Sequence, residues 1–450
     1  MLRSKRLIFS CLVAFAVCHH AAAEWASIGP PLAVESLAFS ADGVLYAGTD
    51  HGVYRRNPVT GAWESRSLGL PDLPVAALIA DPLLAGVLYA GELSRSSIPG
   101  GVFKTSDGGL TWTSASIGLT GTLVKVLAID PRNPATLYAG TNSGGVYKSE
   151  DAAGHWRPMN SGLTGVSVWS IAVDPIAAGT VYVGISEGVF KSTDGGLSWR
   201  AINTGLQTPT MPYTAAGLAI DPTNNSTIYL ASFVPLSLPV GGGVYKTTNG
   251  GATWTPVNTG SLHPAAMSAI VLDPHSPTTV YAAGQAGGVA LTTDGGGSWS
   301  NASSGLTYEA LTLSIDPIAG SLYAGTRGGV FQLSAGSGTC TADPGTLCLN
   351  SARFKVQVTW RVPSQGMSGW GQAVPMTSDT GAFWFFSSNN IEIVVKVVDG
   401  RPFNGKFWVF YGALSNVEYT ISVTDTAAGI VKTYFNPEGR LASIADTAAF

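Results

Sequence analysis

Four carboxylates are candidates for chemistry by the face on which they would fall: Asp50, Glu92, Glu187 and Glu309. A pair of carboxylates flanking a cleft can cleave a glycosidic bond, one as acid and the other as base or nucleophile. Arg95 and Arg327 add guanidinium forks, which match a carboxylate with two parallel hydrogen bonds. Trp169, Tyr213, Tyr308 and Trp370 supply flat apolar faces with a polar edge, suited to packing against a sugar ring or a partner side chain. Other chemistries find no foothold. The four histidines beyond residue 23 are His51, His155, His263 and His275, and they are scattered. There is no Gly-x-Ser-x-Gly elbow, phosphate loop, calcium loop or zinc spacing, so neither a cofactor nor a metal is expected.

The elements that position these groups are repeated strands and turns. A stretch of the form Ser/Thr-x-Asp-x-Gly-x-Ser/Thr-Trp recurs along the chain. It runs from Thr105 through Asp107 to Trp112, from Ser192 through Asp194 to Trp199, and from Thr292 through Asp294 to Trp299. A fourth copy carries Asn249 before Trp254, and a degraded copy carries Asp151 before Trp156, with His155 inside it. Glycine allows positive φ, and the Asp and hydroxyl side chains can bond backbone N–H groups, so each copy reads as a hairpin turn. The tryptophan starts the next strand. These residues are therefore expected to staple the fold and not to touch a ligand.

Two further landmarks precede each box. One is an apolar strand ending in Asp-Pro, as at Asp81-Pro82 and Asp174-Pro175; the other resembles Leu45-Tyr46-Ala47-Gly48. Seven copies at roughly 40–50 residue spacing, each of four short strands, match propeller blades. The last copy stops after Gly329-Val330-Phe331, and Trp25-Ala26-Ser27-Ile28-Gly29 supplies the missing strand from the other end of the chain. The reading is all-β: a seven-bladed β-propeller over 24–335, then a small β-sandwich over 336–450.

The motif resembles the Asp-box, or bacterial neuraminidase repeat, and the chain resembles the sialidase-like propeller superfamily. The closest flavour is that of sortilin-type domains, xyloglucanases and the photosystem II assembly factor family. The C-terminal part resembles a module of secreted bacterial proteins. The resemblance implies the propeller fold; its members include hydrolases, receptors and assembly factors, so it implies no single activity.

Residues 1–23 read as a signal peptide: a basic start, an apolar run from Leu7 to Cys18, and Ala21-Ala22-Ala23 before the cut. Export leaves Cys340 and Cys348 as a disulfide pair. A net charge of −4 with 12% charged residues argues against nucleic acid, and no later run is long enough to span a bilayer. The expected product is a secreted or periplasmic monomer.

Within a blade the box joins strands three and four, which leaves the strand two–three turns and the inter-blade links on the opposite face. Glu92, Arg95, Trp169, Tyr213, Tyr308, Glu309 and Arg327 fall there. In the C-terminal part Trp370, in the loop 364–371, is the candidate binder. The expectation is non-enzymatic recognition of an extracellular or cell-envelope protein or polysaccharide. The alternative is a xyloglucanase-like glycoside hydrolase. A sialidase fits less well, because arginines on that face are few.

Overall fold

The computed structural model describes the chain apart from residues 1–23, 94–99, 121–122, 207–213, 234–241, 261, 263–266, 275, 285–287, 318–320, 335–339, 341, 351–352 and 427–429. The leader, Arg95 and Tyr213 lie outside the described residues. Within them the strands form seven four-stranded and two five-stranded antiparallel sheets.

Six of the seven four-stranded sheets use four consecutive strands, beginning with Val34–Phe39, Leu45–Thr49, Gly52–Arg56 and Trp63–Ser65. The seventh takes Ala310–Ile315, Leu322–Thr326 and Gly329–Ser334, and completes itself with Glu24–Gly29, which pairs Trp25 with Leu333. The first strands of successive sheets contact one another in a closed cycle, the last returning to the first. This is a β-propeller: the first strands line the axis and the fourth strands form the rim.

The second strands are buried on both faces, from Leu45–Thr49 through Leu88–Glu92 to Leu322–Thr326. No period-two alternation of burial appears there, because each sheet is covered by a neighbour on either side. Close stacking also explains a recurrent glycine. A Cβ on Gly91 would sit 2.7 Å from Val124 Cγ1 of the next sheet, so only glycine permits the approach.

Seven tryptophans tie each fourth strand to the preceding sheet. The indole N–H of Trp63 donates to Ile28 O (2.7 Å), that of Trp112 to Arg66 O (2.7 Å) and that of Trp156 to Ala115 O (2.8 Å). Trp199, Trp254 and Trp299 donate to Met159, Ile202 and Val257. Trp25 donates to Ala302 O (2.6 Å), so the N-terminal strand is held by the same device as the others.

The repeated turns satisfy their own polar groups. In the Asp194 turn, Ser192 Oγ accepts from Gly196 N and donates to Asp194 Oδ1, while Asp194 accepts from both Ser198 N and Ser198 Oγ. The Asp151 turn keeps this plan with His155 in the serine's place, 2.8 Å from the carboxylate. There Ala152 and Ala153 adopt φ of 56° and 69°, where Gly108 and Gly109 stand in the Asp107 turn. The Asp-Pro aspartates cap the neighbouring turn: Asp174 Oδ1 accepts from Ile176 N and Ala177 N.

The two five-stranded sheets share one core, including Phe354, Phe383, Val395, Val409, Tyr419 and Ile421, which makes a β-sandwich. Cys340 and Cys348 are joined by a disulfide. The structure corrects one local expectation. Trp370 lies not in a loop but on the strand Met367–Trp370, which folds back on Phe354–Val362 after the turn at Pro363–Gln365. The backbone groups of this segment find ladder partners that its Gly-rich sequence did not advertise.

Candidate binding face

Hydrogen bonds divide the ring into two faces. The box turns rest on the strand one–two turns, as Gly195 N does on Gly179 O and Gly108 N on Gly86 O. On the opposite edge, the residue after strand two bonds the link that leads into strand one: Asp50 N to Ala33 O, Leu93 N to Pro74 O, and Asn142 N to Leu123 O. The strand two–three turns and the inter-sheet links therefore share one face, opposite the boxes.

A β-bulge marks this face in all seven sheets, near the start of the first strand. Each skips one residue out of the ladder: Glu35, Ala76, Lys125, Trp169, Ala216, Ser268 and Leu311. A bulge leaves its extra residue unpaired and re-aims the side chain. Because the first strands line the axis, these seven slots ring the channel mouth. Three carry charged or aromatic side chains: Glu35, Lys125 and Trp169. Lys125 Nζ lies 3.4 Å from the centroid of the Trp169 ring, a cation–π contact, and Trp169 Nε1 donates to Ser186 Oγ (3.2 Å). Trp169 remains 41% exposed. Partial burial lowers the Lys125 pKa.

Half a ring away, Glu35 stands with Arg327 and Asp50. Desolvation raises the Glu35 pKa, the Arg327 charge opposes the rise and the Asp50 charge adds to it. His51 bridges Asp50 and Asp72, at 3.7 and 3.3 Å. Tyr308 is 52% exposed and lies so close to Gly328 that any Cβ there would strike its ring. Glu187 and Glu309 are exposed, and the Glu187 carboxyl lies against Gly165 of the neighbouring link.

Glu92 behaves differently from its neighbours on this face. It ends the second strand opposite Val75, the position held by Thr49, Thr141, Ser232 and Thr326 in four other sheets. Those hydroxyls donate to a carbonyl of the third strand, as Thr49 does to Gly52 O at 2.9 Å. Glu92 is fully buried, and neither of its carboxylate oxygens has a hydrogen-bond partner among the described residues. Burial pushes its pKa up to about 8.

The structure thus gathers Trp169, Tyr308, Glu309 and Arg327 on one face, encloses Glu92, and places Trp370 in the sandwich. Sequence reasoning missed Glu35 and Lys125. Their signal was positional: each follows the first buried residue of a first strand, the slot that also holds Trp169.

No protein-family model matches the chain, and no curated protein matches it. Solved structures do. The GH74 xyloglucanase from Xanthomonas campestris is 18% identical at a TM-score of 0.56, covering 95% of this chain and 74% of that one. YCF48 bound to D1 peptide is 15% identical at 0.51, covering 69% of this chain and 94% of that one. The extracellular domain of a putative one component system from B. thetaiotaomicron is 12% identical at 0.55, covering 91% and 54%. At such identities the likeness shows the propeller fold and nothing of the site.

Proposed function

We propose that this is an exported binding protein, and that its seven sheets act as seven blades presenting the bulge-lined channel mouth to an extracellular or cell-envelope polysaccharide or protein. The observation that carries this reading is the Lys125–Trp169–Ser186 group. It is an aromatic face held in one orientation by a cation and a hydroxyl, still open to solvent, on the face where the repeat breaks. Loops and irregular positions on a rigid scaffold are where binding concentrates. The propellers it is similar to include a xyloglucanase, a peptide-bound protein and an extracellular domain, so the fold is compatible with this reading. The disulfide suits an oxidising compartment.

A glycoside hydrolase is the second reading. Glu92 favours it, because a carboxyl protonated near neutrality is what a general acid needs. Full burial counts against that role, since an acid must reach the leaving oxygen. One experiment tests both. The chain is incubated with a polysaccharide panel and with envelope protein extract, and binding and released reducing sugar are measured together. Binding without release, weakened about tenfold or more by Trp169→Ala, is the expected result. Sugar release abolished by Glu92→Gln would replace the first reading with the second.

A further inference from the structure

The outer face of the C-terminal sandwich carries two exposed aromatic rings, Trp370 and Phe435. Antiparallel register places side chains in rows across adjacent strands, because directly paired residues share a face. In one row Trp370 pairs with Thr359, Thr359 with Thr420, and Thr420 with Phe435. The row spans three strand spacings, about 14 Å. Both ends are open aromatics: Trp370 is 57% exposed and Phe435 59%. Between them stand Thr359, exposed, and Thr420, half-buried. The next row sets Ser368 against Arg361 and Arg361 against Glu418. Trp370, Thr359, Thr420, Ser368, Arg361 and Glu418 line a cleft of about 320 Å³, and Phe435 extends the row beyond it.

The inner face explains why the outer one is free. Tyr419, Ile421 and Tyr434 turn inward to the core, so their sequence neighbours Thr420 and Phe435 must turn outward. Nothing in the fold requires those outward positions to be aromatic; two exposed rings there raise the cost of solvation without adding to the core.

We infer that this face binds a neutral polysaccharide chain, stacking sugar rings on Trp370 and Phe435 and hydrogen-bonding their hydroxyls through Thr359, Thr420 and Ser368. Flat apolar platforms interrupted by hydroxyls fit a pyranose, whose ring face is C–H and whose edge is O–H. The charge favours a neutral polymer. Among the residues lining the cleft the cation is Arg361, which is paired with Glu418 and also feels Glu438, while Lys355 of the same strand stands two rows away. The site is independent of the channel mouth, and either could fail without the other.

The test is co-sedimentation of the full chain with insoluble neutral polysaccharides (amorphous cellulose, starch granules and β-mannan), with cross-linked polygalacturonate as the acidic comparison. Binding to at least one neutral polymer is expected. Trp370→Ala should weaken it about tenfold or more and Phe435→Ala by a smaller factor, while Trp370→Phe restores most of it. Leu110→Ala, an exposed apolar side chain of a box turn in the ring, should leave this binding unchanged. The inference is overturned if no neutral polymer binds, if polygalacturonate alone binds, or if Trp370→Ala and Phe435→Ala both bind like the parent.

Discussion

The two faces of the ring are built on opposite principles. On the box face, position after position repeats: a hydroxyl, a carboxylate or amide, two residues at positive φ, and a tryptophan that bonds the preceding sheet. Polar groups there are satisfied within the turn. On the other face the slots are equally regular but their occupants change, from Glu35 to Lys125 to Trp169 in one slot, and from Thr49 to Glu92 to Ile185 in another. Repetition of residue type marks what the fold needs. Repetition of geometry with changing residues marks what it leaves free for recognition, and Glu92 shows that the freedom carries a cost.

The sharpest way to break this contrast is to attack a staple. Trp254 is 2% exposed and its N–H is bonded to Ile202 O. Trp254→Ala should cost about 3–5 kcal/mol in chemical denaturation. A cost below about 1 kcal/mol would show that the boxes are ornaments.

Glu92 comes next. Its carboxyl pKa is about 8 in the folded chain, against 4.5 when unperturbed. A raised acid destabilises wherever the unfolded chain ionises first, so stability should fall as pH rises from about 4.5 to about 8 and then level off. Glu92→Thr, the residue of three sister sheets, should remove that slope and add roughly 2–3 kcal/mol above pH 8. An unchanged slope would mean that another group titrates there.

Smaller is the effect of Ala152→Gly. Ala152 holds a φ of 56° in the one box that lacks glycine there. Relief of left-handed strain outweighs the entropy of the new glycine by about 0.5–1 kcal/mol, read as a higher Tm.

Smallest at neutral pH is Asp194→Asn, since Asn249 fills the same position in its own turn with the same hydrogen-bond pattern. The bonds from Ser198 and Ser192 hold the Asp194 pKa down to about 2. A lowered acid contributes above its unfolded pKa and loses that contribution as pH falls from about 4 to about 2. The Asn variant should therefore lose less stability than the parent over that window. Equal losses would assign acid sensitivity to other carboxylates.

Much of the ring was legible from Trp25, the Asp-Pro turns and the recurring boxes, because a repeat that cannot bury its own faces must stack on its copies. The candidate site was legible only in part. Trp169, Tyr308 and Arg327 could be placed on the correct face by counting strands. Glu35 and Lys125 could not, since a bulge leaves no mark in hydrophobic pattern; it is a register skip, visible only when the partner strand is known. Trp370 is legible by type but not by element, and Phe435 becomes its row-mate only through the register of three strands.

The amino-acid sequence by itself determined the strands, the turns and the closure by Trp25, because these depend on local backbone preferences and on a repeating apolar pattern. Tertiary structure alone decided that Glu92 is enclosed while Glu309 is open, that Lys125 sits over Trp169, and that Trp370 and Phe435 end one row. Burial and register are relations between distant segments, and no single stretch of chain contains them.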